Sequence, residues 1–389
     1  MKHFDVIVVG LGAAGSATVY QLARRGVRVL GIDRFSPPHD QGSSHGETRI
    51  TRLAIGEDAA LVPLVLRSHQ IWRDLEAVSG ERLYCATGGV VVADPTQGGV
   101  MHHRNDFLGA TIAAAQQYGI DHEVMDAGQA AQRFDDFLFR GHEQVYFEPE
   151  AGYLVPEVCV RVQLTQATAL GAQIRTGRTV QALLPNPGGR GVRVRTNDGE
   201  FAANQVVVCA GPWATQFLPA AFERCFRVLR QVLYWFELAP SPADTMAQRP
   251  VFIWQFGTGM DDIFYGFPPL PGHSEMKVGT EQYQVECSPD AVDRNVSMAD
   301  VAAIQARYVA PHLRHARSRC TRTATCLYTV SEGSRFVVAP HPELPQVTIV
   351  SPCSGHGFKH SAAIGEVIAA RLIGAPSQID NGSLFAALG

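Results

Sequence analysis

Apolar positions along this chain fall into three rhythms. Short unbroken apolar runs at 5–9 (DVIVV), 27–32 and 205–209 predict strands buried on both faces, the habit of a parallel sheet. Apolar residues three and four apart predict helices over 16–25, 61–78, 107–119, 157–170, 298–312 and about 361–372, and Gly26, Gly80 and Gly374 supply stops. From about 226 to 325 the texture changes to long, aromatic-rich strands at 228–238, 251–255 and 263–267, which read as antiparallel. Shorter strands are expected at 89–92, around Ile174 and Val180, at 192–196, at 336–339 and at 347–350. Asn197-Asp198-Gly199 sits between apolar runs as a hairpin turn, and Ser44-x-x-Glu47 reads as a capping box opening a helix.

The first strand runs into Gly10-Leu11-Gly12-Ala13-Ala14-Gly15, then a helix, a second strand and Asp33. Gly10 permits the tight turn, Gly12 lets backbone approach a pyrophosphate, and Gly15 lets the helix pack on the strand. The helix N-terminus offers free N–H groups to phosphates, and Asp33 is spaced to accept from a ribose hydroxyl. The glycines alone say little, but the whole unit in register predicts a bound adenine dinucleotide. Lys2 before an apolar run also resembles a secretory leader; Asp5 within the run and the continuous βαβ pattern argue against one. A second buried strand breaks at Ala210-Gly211-Pro212-Trp213, again allowing close approach to a ligand at a sheet edge.

Length and composition narrow the class. A chain of 389 residues exceeds one typical domain, and 46% hydrophobic with 18% charged residues describes a globular enzyme. A net charge of −4 gives no reason to expect nucleic acid or an anionic membrane as partner, and no apolar run is long enough to span a bilayer. The eight cysteines contain no CxxC pair, which disfavours a zinc site or a disulfide framework and suits a reducing cytoplasm. The 33 basic residues comprise 30 arginines and only Lys2, Lys277 and Lys359. Arginine is locked in its charge whereas a lysine pKa can be tuned, so Lys277 and Lys359 are candidates for work that arginine cannot do.

PPH at 37–39, GSSHGETRITR at 42–52, VVVCAGPW at 206–213, YGFP at 265–268, MKVG at 276–279, CLYT at 326–329 and SGHGFKHS at 354–361 occur in one order. Together they closely resemble the monomeric sarcosine oxidase and N-methyltryptophan oxidase family of D-amino-acid-oxidase-like flavoenzymes, over nearly the whole chain. The resemblance implies an α/β fold: an FAD-binding Rossmann-like domain carrying an inserted antiparallel-sheet substrate domain of α+β type. The expected division is 1–90, 146–225 and 326–389 for FAD and 91–145 with 226–325 for substrate.

It also implies roles for particular residues. Cys326 matches the cysteine that holds the flavin through a thioether, and His45 and Arg49, on one expected helical face, match residues that support the attachment. Arg52 and Lys359 match the pair that grips a substrate carboxylate, with Arg49 and Arg52 sharing a helix face; Lys277 matches the lysine that activates oxygen. Tyr265, Phe267 and Tyr328 match cavity-lining residues. Gly10, Gly12, Ala13, Ala14, Gly15, Asp33, Arg34, Ser44, Val180, Ala210, Gly211, Trp213, Gly355, Gly357 and Phe358 complete the expected cofactor contacts, with His45, Arg49, Cys326 and Lys359. The implied reaction is oxidation of a secondary (N-methyl or cyclic) amino acid. Hydride passes to the flavin, the imine hydrolyses, and O₂ is reduced to hydrogen peroxide. The alternatives are a flavin-dependent dehydrogenase or a deaminating oxidase of primary amino acids with non-covalent FAD. A monomer or small homo-oligomer in the cytoplasm is expected.

Two departures bear on substrate. Glu281 stands four residues after Lys277, where the resembling enzymes carry histidine. A carboxylate there could act as a base, attract a cationic group, pair with Lys277, or simply face solvent. The stretches Glu332-Gly333-Ser334-Arg335 and Phe336-Val337-Val338-Ala339 also lack the usual aspartates. Sarcosine itself is therefore expected to be a poor substrate beside bulkier secondary amino acids.

Overall fold

The computed structural model describes every residue except 1, 98–104, 240–248, 378, 380–384 and 389. The opening unit forms as its pattern requires: strand Lys2–Val9, helix Ala13–Ala23 and strand Val29–Ile32, with the two strands parallel. Gly10 takes φ +87°, and a Cβ on Gly15 would lie 1.8 Å from the Gly10 carbonyl oxygen, so both positions exclude side chains.

Strand Gly199–Val208 binds this unit into an eight-stranded sheet. Its first half pairs antiparallel with Val192–Thr196 through the expected Asn-Asp-Gly hairpin. Its last residues run parallel to both Lys2–Val9 and Val347–Ser351. The single strand expected around Ile174 and Val180 is two strands on opposite edges of this sheet. Gln173–Arg175 lies beside Val29–Ile32, and Val180–Pro185 pairs with Val192–Thr196. Helix Ser361–Leu372 packs on the first helix so closely that a Cβ on Gly365 would sit 2.5 Å from the Ala17 carbonyl carbon.

The second large sheet has the order Ala316–Ser331, Phe226–Leu238, Glu275–Thr280, Ile263–Phe267, Val251–Gln255, Gly89–Ala93, Gln144–Glu148 and Glu123–Asp126. It is not purely antiparallel, because Val251–Gln255 runs parallel to Gly89–Ala93. The domain boundaries expected at 90/91, 145/146 and 325/326 all fall inside its strands. Backbone pairing continues through those positions, and a hydrogen-bonded ladder cannot be cut between residues.

The period-two alternation of these strands sorts two faces. Tyr234, Phe236, Phe252, Trp254, Phe264, Met276 and Val278 pack one face into an aromatic core under Tyr308 and Leu313. Side chains one residue along point the other way, so Leu233, Trp235, Tyr265 and Cys326 gather on the opposite face. That face looks toward the dinucleotide-type sheet. A third, three-stranded sheet of Arg49–Thr51, Gly152–Leu154 and Tyr84–Cys85 lies beside it.

The capping-box helix expected at 44–47 is absent. Gly46 and Glu47 take φ +98° and +69°, and the chain enters strand Arg49–Thr51 instead. Long-range partners outcompete the local cap. The Glu157 carboxylate accepts the backbone N–H groups of Gly46 and Glu47 at 2.6 and 3.1 Å, while Lys277 donates to the carbonyls of Gly46 and Thr48. The Glu47 carboxylate is drawn away to Arg322 and the Trp235 indole. His45, Arg49 and Arg52 therefore share no helical face.

Candidate active site

Two cavities meet at the junction of the sheets. The larger is lined by Gly10, Gly12, Ala13, Ala14, Asp33, Arg34, Ser44, Arg49, Val180, Ala210, Gly211, Trp213, Tyr328, Gly355, Gly357 and Phe358, among others. The smaller is lined by Arg49, Ile50, Arg52, Glu57, Leu233, Ile253, Tyr265, Phe267, Glu281, Cys326, Tyr328, Gly355, His356, Phe358 and Lys359. Arg49, Tyr328, Gly355 and Phe358 belong to both walls. Gly15, His45 and Lys277 line neither.

The larger cavity fits a dinucleotide. It holds the first turn of the first helix, whose Gly12 N-cap carries no side chain, and the Ala13 N–H points at Ser44 Oγ at 3.1 Å. Asp33 is buried and fixed by the N–H groups of Leu11 and Phe35, each at 2.8 Å, leaving carboxylate lone pairs beside the cavity where a ribose would lie. Ser43, Ser351 and Ser361 line the same space, and each hydroxyl is buried without a hydrogen-bond partner. Buried polar groups are normally satisfied, so such hydroxyls call for a polar guest. At the rim, Arg34 and the Trp213 indole both donate to Asp290 Oδ1 at 2.8 Å, drawing a distant loop across the nucleotide end.

In the smaller cavity Arg52 and Lys359 come together as expected, with a third group that sequence reasoning missed. Glu57 bridges them, accepting from Arg52 Nη2 at 2.5 Å and from Lys359 Nζ at 3.1 Å. All three are buried. Burial lowers the Lys359 ammonium to about 8, and the Glu57 carboxylate opposes that fall. Glu57 lies outside any recognisable motif; only its place five residues after Arg52 marked it. Glu148, buried on a strand of the second sheet, accepts the N–H groups of Leu53 and Ala54 at 2.6 and 3.1 Å and so fixes the turn after Arg52.

Cys326 lines the smaller cavity, with Arg49 Nη2, from the wall shared by both, donating to its sulfur at 3.5 Å. Burial pushes the thiol pKa up, and Arg49 and Lys277 pull against that shift. Cys326 is thus a buried thiol with a guanidinium beside it. Burial and the neighbouring Arg49 bring His45 down to about 3, so its ring is neutral in the physiological range.

Lys277 is buried behind the wall. Its ammonium donates to Gly46 O at 2.8 Å and Thr48 O at 2.6 Å and lies 3.9 Å over the ring of Phe267, which does line the cavity. Burial and Arg49 hold its pKa well below the ordinary lysine range. Glu281 is not the solvent-facing residue that one reading allowed. It is 5% exposed, lines the smaller cavity, and accepts from Tyr283 Oη at 3.1 Å. Lys277 donates to backbone carbonyls rather than to Glu281.

A glycine-turn dinucleotide cavity that shares a wall with a pocket carrying Arg52 and Lys359 defines a flavin-type oxidoreductase site. The profile of the family described as DAO, FAD dependent oxidoreductase, matches residues 5–371. The chain belongs to that family, and it is an FAD-dependent oxidoreductase of the sarcosine-oxidase-like kind. It is 35% identical to a monomeric sarcosine oxidase of Streptomyces avermitilis, covering 94% of this chain and 92% of that one. It is 34% identical to an N-methyl-L-tryptophan oxidase of Yersinia pestis, covering 97% of each. Among solved structures, NikD, an unusual amino acid oxidase essential for nikkomycin biosynthesis, superposes with TM-score 0.85 at 23% identity over 100% of this chain and 98% of its own. At that identity the match speaks for the fold.

Proposed function

We propose that this enzyme oxidises the C–N bond of a secondary amino acid, N-methyl or cyclic, with dioxygen as final electron acceptor and hydrogen peroxide as product. The observation that carries this reading is the shared wall of the two cavities. A carboxylate held by Arg52 and Lys359 would lie in the compartment that Arg49, Tyr328, Gly355 and Phe358 join to the dinucleotide. FAD, when bound, supplies the two-electron acceptor and its reoxidation by O₂. For an N-methyl substrate the balance is R–NH–CH₃ + O₂ + H₂O giving R–NH₂, formaldehyde and H₂O₂.

The protein's part is positioning and charge. Arg52 offers a fork of N–H donors and Lys359 a point charge, and an incoming carboxylate competes with Glu57 for both. Ile50, Leu233, Ile253, Tyr265 and Phe267 supply apolar walls that exclude water and aim the reacting carbon. Cys326 is assigned the covalent link to FAD, with Arg49 favouring the thiolate that must form. Lys277 is assigned the fixed charge that favours electron transfer to oxygen, and its bonds to Gly46 and Thr48 also hold the loop that leads to Arg49. A cytoplasmic location agrees with the eight free cysteines.

The test is peroxide release from purified holoenzyme with a panel of N-methyl, cyclic and primary amino acids, alongside acid precipitation to see whether yellow colour stays with the pellet. Oxidation of secondary amino acids, bulkier ones ahead of sarcosine, is the expected result. A protein that reduces its flavin with none of them refutes the reading.

A further inference from the structure

Four neighbouring strands of the second sheet each give one residue to a single cross-strand row. Arg322 lies opposite Trp235, Trp235 opposite Lys277, and Lys277 opposite Phe267. Directly opposed residues share a face, so the row alternates cation and ring. Arg322 sits 4.2 Å over the Trp235 ring, while Lys277 lies 5.9 Å from Trp235 and 3.9 Å from Phe267. The inner end, Phe267, lines the smaller cavity; the outer end, Arg322, is partly exposed. Arg322 and Trp235 line neither cavity.

Glu47 joins that outer half to the lysine. Its carboxylate accepts a two-pronged contact from Arg322, with Nη2 at 2.7 Å from Oε2, and a third bond from the Trp235 indole at 3.1 Å. The carbonyls that accept from Lys277 belong to Gly46 and Thr48, the residues on either side of Glu47. The Thr48 N–H closes this turn onto the Gly46 carbonyl at 2.8 Å, with Glu47 at φ +69°. A residue with a side chain holds that backbone only where its surroundings impose it. Arg322 and Trp235 impose it through the side chain, and Glu157 through the N–H groups of Gly46 and Glu47.

We propose that Glu47 is a positioning residue: fixed by Arg322 and Trp235, it holds the Gly46 and Thr48 carbonyls on the Lys277 ammonium and so keeps that ammonium in place beside Phe267. That this serves flavin reoxidation rests on the role given to Lys277 above. Two carbonyls aimed at an ammonium favour its charged form. Burial and Arg49 work against that form, Glu157 and Glu47 work for it, and Cys326 faces the same group.

The chain has three lysines, so protein labelled with ¹³C at the lysine ε-carbon gives three signals, and Lys277→Met identifies one of them. The experiment titrates that signal in oxidised, flavin-loaded enzyme, with stopped-flow reoxidation by O₂ measured over the same pH range. Glu47→Gln is expected to lower the Lys277 midpoint by about one pH unit or more. Above the midpoint each unit leaves about tenfold less ammonium, so the alkaline fall in reoxidation should begin at lower pH and reach roughly 10-fold, with flavin reduction little changed. Arg322→Met separates position from charge. Loss of a nearby cation by itself raises a lysine pKa, whereas release of Glu47 and its turn lowers it; a lower midpoint is expected.

A midpoint unmoved in Glu47→Gln protein of unchanged flavin content overturns the inference. So does a midpoint raised or unmoved in Arg322→Met, which decides the matter alone if Glu47→Gln fails to load flavin. If both midpoints fall while neither these variants nor Lys277→Met reoxidises more slowly, the positioning stands and the oxygen role of Lys277 falls. If Lys277→Met alone slows reoxidation and neither midpoint moves, the reverse holds.

Discussion

Lys359 offers the sharpest quantitative test of how this cavity holds a carboxylate. Its ammonium is buried, 3.1 Å from Glu57 and 3.0 Å from the His356 carbonyl, and burial brings its pKa down to about 8. Below that pH it is charged and attracts a ligand carboxylate; as pH rises through about 8 the attraction fades, so affinity is present on the acid side and lost on the alkaline side. A hydrogen bond to a charged group contributes about 1.5–3 kcal/mol, or roughly 10–150-fold in affinity. Sharing with Glu57 puts Lys359 toward the lower end, and Arg52 remains as a second anchor. The assay is titration of flavin absorbance with a short aliphatic carboxylate across about pH 6.5 to 9.5, in wild type and Lys359→Met. Wild-type affinity is expected to decline through about pH 8 toward the variant's value, and the variant is expected to be weaker and flat. A variant that binds as tightly as wild type at the acid end, or a variant that keeps the full wild-type pH dependence, refutes the reasoning.

Four further outcomes are expected. Glu57→Gln removes the charge that raises the Lys359 pKa, so the decline in carboxylate binding should move to lower pH; the same change leaves Arg52 and Lys359 buried without their partner, and calorimetry should record a lower Tm. Cys326→Ser should move yellow colour from the acid pellet to the supernatant while leaving FAD bound by the dinucleotide cavity; colour retained in the pellet would assign the link elsewhere. Gly15→Ala places a methyl where the Gly10 carbonyl lies, and FAD content after purification should fall by ~10-fold or more as the turn opens. Lys277→Met should slow reoxidation by O₂ by roughly 100-fold or more in stopped flow, with flavin reduction by substrate affected less; in wild type the reoxidation rate should fall with rising pH, starting well below the ordinary lysine range.

Where the sequence was informative, the determining forces are local. Gly10, Gly12 and Gly15 serve one turn and one helix start, and their spacing carries the geometry with it. The stop of helix Val62–Ser79 at Gly80, with φ +71°, is equally local. The loop from Ser44 to Thr48 is the opposite case. Its capping-box spelling is genuine, but Glu157 and Lys277, more than a hundred residues away, take the backbone groups that a helix would have used. Glu57 was invisible for a related reason. Its place five residues after Arg52 is the one local sign of it, and its meaning comes from a lysine 302 positions later.

Sequence by itself determined the dinucleotide half of the molecule, the family motifs and the residue types that the site needs. Side-chain period, glycine placement and short-range order suffice for those, since each is decided within a few residues. Tertiary structure alone decided which face of the second sheet becomes the cavity wall and that a carboxylate stands between the two anchoring cations. It also turned Lys277 toward a backbone loop and placed Glu281 in the lining of the smaller cavity. Those outcomes depend on strand order, on the parallel pairing of Val251–Gln255 with Gly89–Ala93 and on desolvation at depth, quantities that exist only after distant segments have packed.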